Sequence, residues 1–245
     1  MATPRYLIVN ADDFGLSAGV NGGIIHAHEH GIVTSASLMV YGPAAGEAAA
    51  YSRRRLAFSI GLHVDLCEWT YQNSTWVPVY ERVALTDRHA VAQEVSHQLS
   101  AFQRLLSKNP SHLDSHQYVH RQESVRPVLV QLARRLGIPL RQESPLVHYC
   151  GAFYGQTGEG VPLPDVISPA GLCKILAALP AGLSELSCHP GEGEDLQTMY
   201  RMERAQEVAV LCDPRIRTAL VAESIELRSF ADIAGIPGLF GVTQE

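Results

Sequence analysis

Apolar and polar positions follow two alternating rhythms along the chain. The first apolar run, Arg5-Tyr6-Leu7-Ile8-Val9, is β-branched and aromatic and breaks off into Asn10-Ala11-Asp12-Asp13-Phe14-Gly15-Leu16-Ser17. That pattern predicts a buried strand delivering acids to its C-terminal tip. Behind Ser17, a suitable cap, residues 18–30 carry Val20, Ile24 and Ala27 on one stripe and stop at Gly31, which predicts a helix. Strand patterns follow at 32–40, 56–63, 112–116, 138–141, 183–188 and 225–230. Helical patterns fall between them, at 43–53, at 124–136, from 168 to about 179, from about 198 to 211 and at 215–222. The strongest has the stripe Val91, Val95, Leu99, Phe102 and Leu106 behind Thr86 or Asp87. Residues 66–81 read as a loop rich in aromatics, whose rings either stack on sugar faces or pin the loop to the core. Residues 145–169 lose all periodicity and read as a long loop or lid.

About seven strands separated by helices predict an α/β fold, a TIM-barrel-like (β/α) barrel with seven strands or a distorted outline. With no repeat, low-complexity tract or linker, a single domain over 1–245 is expected. Chemistry-bearing residues gather at the ends of five strands: Asp12 and Asp13, His63, His116, Arg141 and His189. In parallel α/β proteins that edge is where sites assemble, so the pattern points to one pocket.

Composition narrows the partners. A net charge of −6 provides no basic field for nucleic acid. No apolar run is long enough to span a bilayer, and the first residues lack the layout of a signal peptide. The 5 cysteines are scattered without a C-x-x-C, which argues against a disulfide framework and suits a reducing cytoplasm. A homodimer is an expectation from the habits of such barrels alone.

Two adjacent carboxylates crowded by Val9, Phe14 and Leu16 imply a cation, a shared proton or solvent exposure. With two histidines at neighbouring tips, the first is favoured: Asp13, His63 and His116 as ligands of a divalent ion that activates water. Asp12 is then the general base, Arg141 its orienting partner, and His189 the acid that protonates a leaving amine. Together they specify metal-assisted hydrolysis of an amide or ester. His120 is a fourth ligand, an orienting group or a substrate contact; Trp69 and Tyr154 are expected substrate contacts. The same ligands would also suit a barrel isomerase or phosphodiesterase, or a non-catalytic sugar- or metal-binding protein.

The motifs Asn10 to Ser17, Gly61-Leu62-His63, His112 to His120 and Cys188-His189-Pro190-Gly191 resemble, in order and over nearly the whole chain, the YdjC-like carbohydrate deacetylases. This family includes chitooligosaccharide deacetylases and a hopanoid-pathway branch. The resemblance implies a TIM-barrel-like fold and divalent-metal removal of acetyl from an N-acetylated amino sugar, with zinc, magnesium, manganese or cobalt as the ion. It also implies a metal acid within Asp12-Asp13 and metal histidines at His63 and His116. The chain departs from the family in a shorter segment between His63 and His112, and in Gln117-Tyr118 where the family carries further histidines.

Overall fold

The structure, a computed structural model, describes residues 4–192 and 195–236; the ends of the expected 1–245 domain lie outside the described residues. Strand β1 (Arg5–Phe14) is followed by α1 (Ala18–Glu29), β2 (Ser35–Leu38), α2 (Ala45–Ser52) and β3 (Ser59–Val64). A hairpin comes next, β4 (Cys67–Gln72) and β5 (Thr75–Glu81). The chain continues through α3 (Arg88–Leu106), β6 (Leu113–Ser115), a 3-10 turn (His116–Arg121) and α4 (Arg126–Leu136). Then come β7 (His148–Cys150), α5 (Pro169–Ala178), β8 (Gly182–Cys188), α6 (Met202–Leu211), α7 (Pro214–Ala222) and β9 (Ile225–Arg228).

Seven strands form one parallel sheet in the order β6-β3-β2-β1-β8-β7, with β9 against the first half of β1. β1 is therefore flanked by β9 at Arg5 to Ile8 and by β2 from Asn10 onward, while β8 runs along its other side. The sheet is α/β and barrel-like, and among the described residues its outer strands β6 and β7 are not paired with each other. The stretch at 138–141, predicted as a strand, supplies only the bridge from Leu140 to Leu113. Pro139 has no amide hydrogen to extend it.

Strand periodicity of two divides the interior from the helix-covered face. On β1, Leu7, Val9 and Ala11 join the large core shared with α1, α2 and α3, whereas Tyr6 and Ile8 join a small cluster with Val147, Leu183, Phe230 and Ile233. That cluster closes one end of the barrel. Continuing up the same face of β1 come Asn10 and Asp12, so the interior passes from an apolar plug to a polar site along a single strand. β6 does likewise, with Leu113 in the large core and Asp114 turned inward. The His112 ring stacks on Phe230 at 3.7 Å between centroids. It also lies flat on Gly61, where a Cβ would come within 2.4 Å of it.

Candidate active site

At the end of β1 the register with β2 slips between Ala11 and Phe14, and Asp13 takes a left-handed backbone with φ +68°. A regular strand would send Asp12 and Asp13 to opposite faces; this bulge lets both reach one cavity. Gly15, at φ +93°, completes the turn where Met39 O and Ala45 Cα leave no room for a side chain.

Asp13 Oδ1 lies 3.3 Å from His63 Nε2 and 3.2 Å from His116 Nδ1. Donor atoms of these three residues fall within 4.8 Å of one another. Asp114 Oδ1 accepts from His63 Nδ1 at 2.8 Å, which fixes the ring with Nε2 toward Asp13. Asp12, His63 and Asp114 make a second close triple, but Arg141 takes both oxygens of Asp12 and Oδ2 of Asp114, whose Oδ1 accepts from His63, whereas in the first triple Arg204 takes only Asp13 Oδ2 and leaves Oδ1 facing both rings. The first triple is therefore the one whose donors fit a divalent cation.

Arg141 is almost wholly buried and grips Asp12 with two bonds, Nη1 to Oδ2 at 2.6 Å and Nη2 to Oδ1 at 2.7 Å. It also reaches Asp114 Oδ2 at 2.9 Å and Glu185 Oε1 at 2.7 Å. Burial drives Glu185 up to about 7 even against this guanidinium. Asn10 and Ser37 donate to Asp12 Oδ1 and Asp114 Oδ2 respectively, at 3.0 and 2.5 Å. Burial would raise Asp13, but Arg204 beside it and hydrogen bonds from His116 and His63 hold it well below the usual carboxylate range. Burial would likewise lower His63, yet Asp114 and Asp13 raise it well above an ordinary histidine.

His189 Nε2 is 3.7 Å from Asp12 Oδ2, on the cavity side. Burial lowers it to about 4, more than Asp12 and Asp13 can restore, so the resting ring is neutral. Its backbone N–H donates to Glu207, which also accepts from Tyr200 OH; burial pushes Glu207 up to about 8. Tyr154 stacks on Tyr200 at 4.3 Å and meets His189 edge-on.

The cavity measures about 640 Å³. Asp12, Asp13, His63, His116 and His189 line it together with Trp69 and Tyr154. Arg141 stands behind Asp12. His120 is instead buried away from the cavity: Nδ1 bonds Ser115 Oγ at 2.7 Å and Nε2 bonds Gln142 Oε1 at 3.0 Å, so both ring nitrogens are engaged and neither is offered to a metal or a substrate. The aromatic stretch at 66–81 is the β4–β5 hairpin, which forms the cavity wall through Glu68, Trp69, Trp76 and Val79.

Sequence reasoning missed Asp114, Glu185, Arg204 and Glu207. Asp114 was within reach, since alternation sets it on the face of His112 and His116. Arg204 Nη2 donates to Asp13 Oδ2 at 2.6 Å from α6, whose sequence carries no local mark of that partner.

The family model for YdjC-like protein matches residues 6–222. A chitooligosaccharide deacetylase of Serratia marcescens is 32% identical, over 94% of this chain and 99% of its own. A carbohydrate deacetylase of Geobacillus stearothermophilus is 30% identical, over 94% and 98%. Among solved structures, a candidate cellobiose-phosphate cleavage protein of Enterococcus faecalis V583 superposes with a TM-score of 0.74 at 25% identity, covering 94% of this chain and 99% of that one. A polysaccharide deacetylase of Bacillus cereus shares the fold at a TM-score of 0.54 and 13% identity, covering 92% and 91%. With the matching model spanning every strand that feeds the cavity, the chain belongs to the YdjC-like family.

Proposed function

We propose that the protein is a divalent-metal-dependent hydrolase that removes an N-acetyl group from an amino sugar or amino-sugar glycoside, within one domain over 1–245. The observation that carries this is the juxtaposition of Asp13, His63 and His116 with an Arg141-held Asp12 in one cavity. The names of the full-length relatives supply the substrate class. Asp13, His63 and His116 hold the cation; a bound ion supplies Lewis acidity and lowers the pKa of water. The chemistry of the donors suits it, one carboxylate and two imidazoles, with Asp114 fixing the first ring.

Asp12 serves as general base, aimed by the two bonds from Arg141. His189 is neutral at rest, so the proton it gives to the departing amine is one acquired during turnover, and Asp12 at 3.7 Å is its nearest carboxylate source. Trp69 and Tyr154 contact the sugar. Five free cysteines fit a reducing compartment, the cytoplasm, and among the described residues no helix is long and apolar enough to cross a membrane.

The test is acetate release from a panel of N-acetylated mono- and disaccharides and glycosides, run with added divalent metals and again with chelator. Release that chelator abolishes is expected from at least one member. In Asp12→Asn the metal content should stay at the wild-type level while turnover falls about 10²- to 10⁴-fold, the usual worth of a general base. Silence across the panel would overturn the deacetylase reading, and full activity in Asp12→Asn would overturn the base assignment.

A further inference from the structure

Behind His63 runs a line of buried polar side chains that the reaction above does not use. Asp114 Oδ1 accepts from His63 Nδ1 at 2.8 Å, and Asp114 Oδ2 accepts from the Ser37 hydroxyl at 2.5 Å. Ser37 Oγ also lies 2.8 Å from Asn10 Nδ2 and 3.0 Å from His112 Nε2. His112 Nδ1 in turn lies 2.9 Å from Ser111 Oγ. Ser37, His112 and Asp114 are all buried, where a polar group left without a partner is costly.

Counting hydrogens gives this line a direction. A serine hydroxyl has one hydrogen and two lone pairs. Asp114, paired with Arg141 at 2.9 Å, is a bare carboxylate, so the hydrogen between it and Ser37 is the serine's and both serine lone pairs must accept. Asn10 fills one of them with an amide hydrogen and gives its other to Asp12 Oδ1 at 3.0 Å; the flipped amide would face that carboxylate with its oxygen. His112 fills the second, which places its hydrogen on Nε2 and leaves Nδ1 to accept from Ser111. The reverse arrangement, with Ser37 donating to a bare Nε2, would press two unprotonated oxygens together at 2.5 Å. The His112 ring is held by its stack on Phe230, at an interplanar angle of 20°, and by the space left at Gly61. Gly61 and His63 share a face of β3, so the strand that carries His63 also makes room for this ring.

We infer that His112 and Ser37 are positioning residues that hold the Asp114 carboxylate through one directed line of hydrogen bonds and so keep His63 in the tautomer that turns a bare Nε2 to the cation. The inference rests on the assignment of Asp13, His63 and His116 to a divalent ion and reaches two residues outside that set. Without the Ser37 hydroxyl, Asp114 Oδ2 keeps Arg141 and a longer contact from Asn10 at 3.4 Å, and the carboxylate is less firmly set toward His63. Outer partners of a metal-bound histidine are typically worth about 10- to 100-fold in metal affinity.

The experiment has two parts, both on the full chain. Nitrogen–proton correlation spectra of the imidazoles in the zinc-loaded wild type show which ring nitrogen carries hydrogen. His112 is expected with hydrogen on Nε2, and His63 with hydrogen on Nδ1. A His112 ring protonated on Nδ1 alone would overturn the inference, and this result needs no variant to fold. Zinc affinity is then measured by competition with a chromophoric chelator. Ser37→Ala should weaken it about tenfold, and His112→Phe, which keeps a stacked ring without the N–H, about threefold or more. Because Ser37 acts through Asp114, the double variant Ser37→Ala/Asp114→Asn should bind zinc within about twofold of Asp114→Asn alone. A loss below about threefold in either single variant, or losses that add in the double variant, would overturn the inference, since a Ser37 that only supports the fold has no such coupling. A wild type that binds no divalent ion refutes the metal assignment itself, and silence in the acetate assay refutes the deacetylase reading.

Discussion

Arg141 is the residue on which the most charge depends. Its guanidinium is buried and touches Asp12, Asp114 and Glu185 at once, within 2.6 to 2.9 Å. Removing it strands carboxylates that pair with no other guanidinium among the described residues, since Arg204 serves Asp13. Breaking one side of a buried ion pair typically costs about 3–5 kcal/mol, because the remaining charge is left desolvated. Arg141→Met should therefore lower stability by about that amount, read from the midpoint of urea denaturation with an unchanged slope. A loss below about 1 kcal/mol, the range of exposed pairs, would mean that the cluster does not depend on this guanidinium. Lysine is not a remedy, because one ammonium cannot reproduce the two parallel bonds to Asp12.

At the scale of elements, the β4–β5 hairpin lies outside the main sheet and is docked by Gln117. Gln117 Oε1 accepts from Trp69 N and its Nε2 donates to Trp69 O, both at 2.8 Å, so its amide copies a strand neighbour. Gln117 itself sits at φ +48° beside His116. Gln117→Ala leaves the hairpin without this clasp and should raise KM about tenfold with kcat changed less than about threefold, since the lost contact shapes binding and touches no reacting atom. Steady-state kinetics on whichever N-acetyl sugar proves active checks this; a fall in kcat alone would assign Gln117 to His116 instead.

The hairpin also shows what the sequence concealed. Its strands join through Asn73 and Ser74, both at positive φ, a two-residue turn without the familiar glycine, and Pro78 interrupts the second strand. The dense aromatic content of 66–81 masks the strand alternation there. β7 was hidden similarly, three residues inside the aperiodic stretch 145–169. By contrast, β1, α1, α3 and β8 follow their apolar periods closely, and the strand-tip acids and histidines could be found because each strand brings its own. Arg204 and Glu207 reach the site from α6, through packing that no local pattern encodes.

Over the whole molecule, the buried ionisable groups set how stability varies with pH. His112 and His189 are lowered to about 3 and about 4 by burial, from an ordinary 6.5. Between those values and 6.5 the unfolded chain binds protons that the folded one refuses, so their contribution to stability falls as pH falls. Glu185 and Glu207 are raised by burial to about 7 and about 8, from an ordinary 4.5. Above 4.5 the folded chain keeps protons that the unfolded one releases, so their contribution falls as pH rises through 7 and 8. Between about pH 4.5 and 6.5 two groups act in each direction and the slopes nearly cancel. Below that window the glutamates fall silent and the histidines destabilise; above it the histidines fall silent and the glutamates destabilise. Asp13, held well below its ordinary 3.8, adds to the acid side, and His63, held well above 6.5, adds to the alkaline side. Melting temperatures of chelator-treated protein should accordingly form a plateau between about pH 4.5 and 6.5 and decline on both flanks. Added divalent metal should lift the alkaline flank most, because the cation replaces the proton on His63 and compensates the buried carboxylates without one. A metal-free melting temperature that climbs steadily from pH 6.5 to 8 would show that Glu185 and Glu207 are ionised in the folded protein, and that their burial is matched by positive charge from elsewhere.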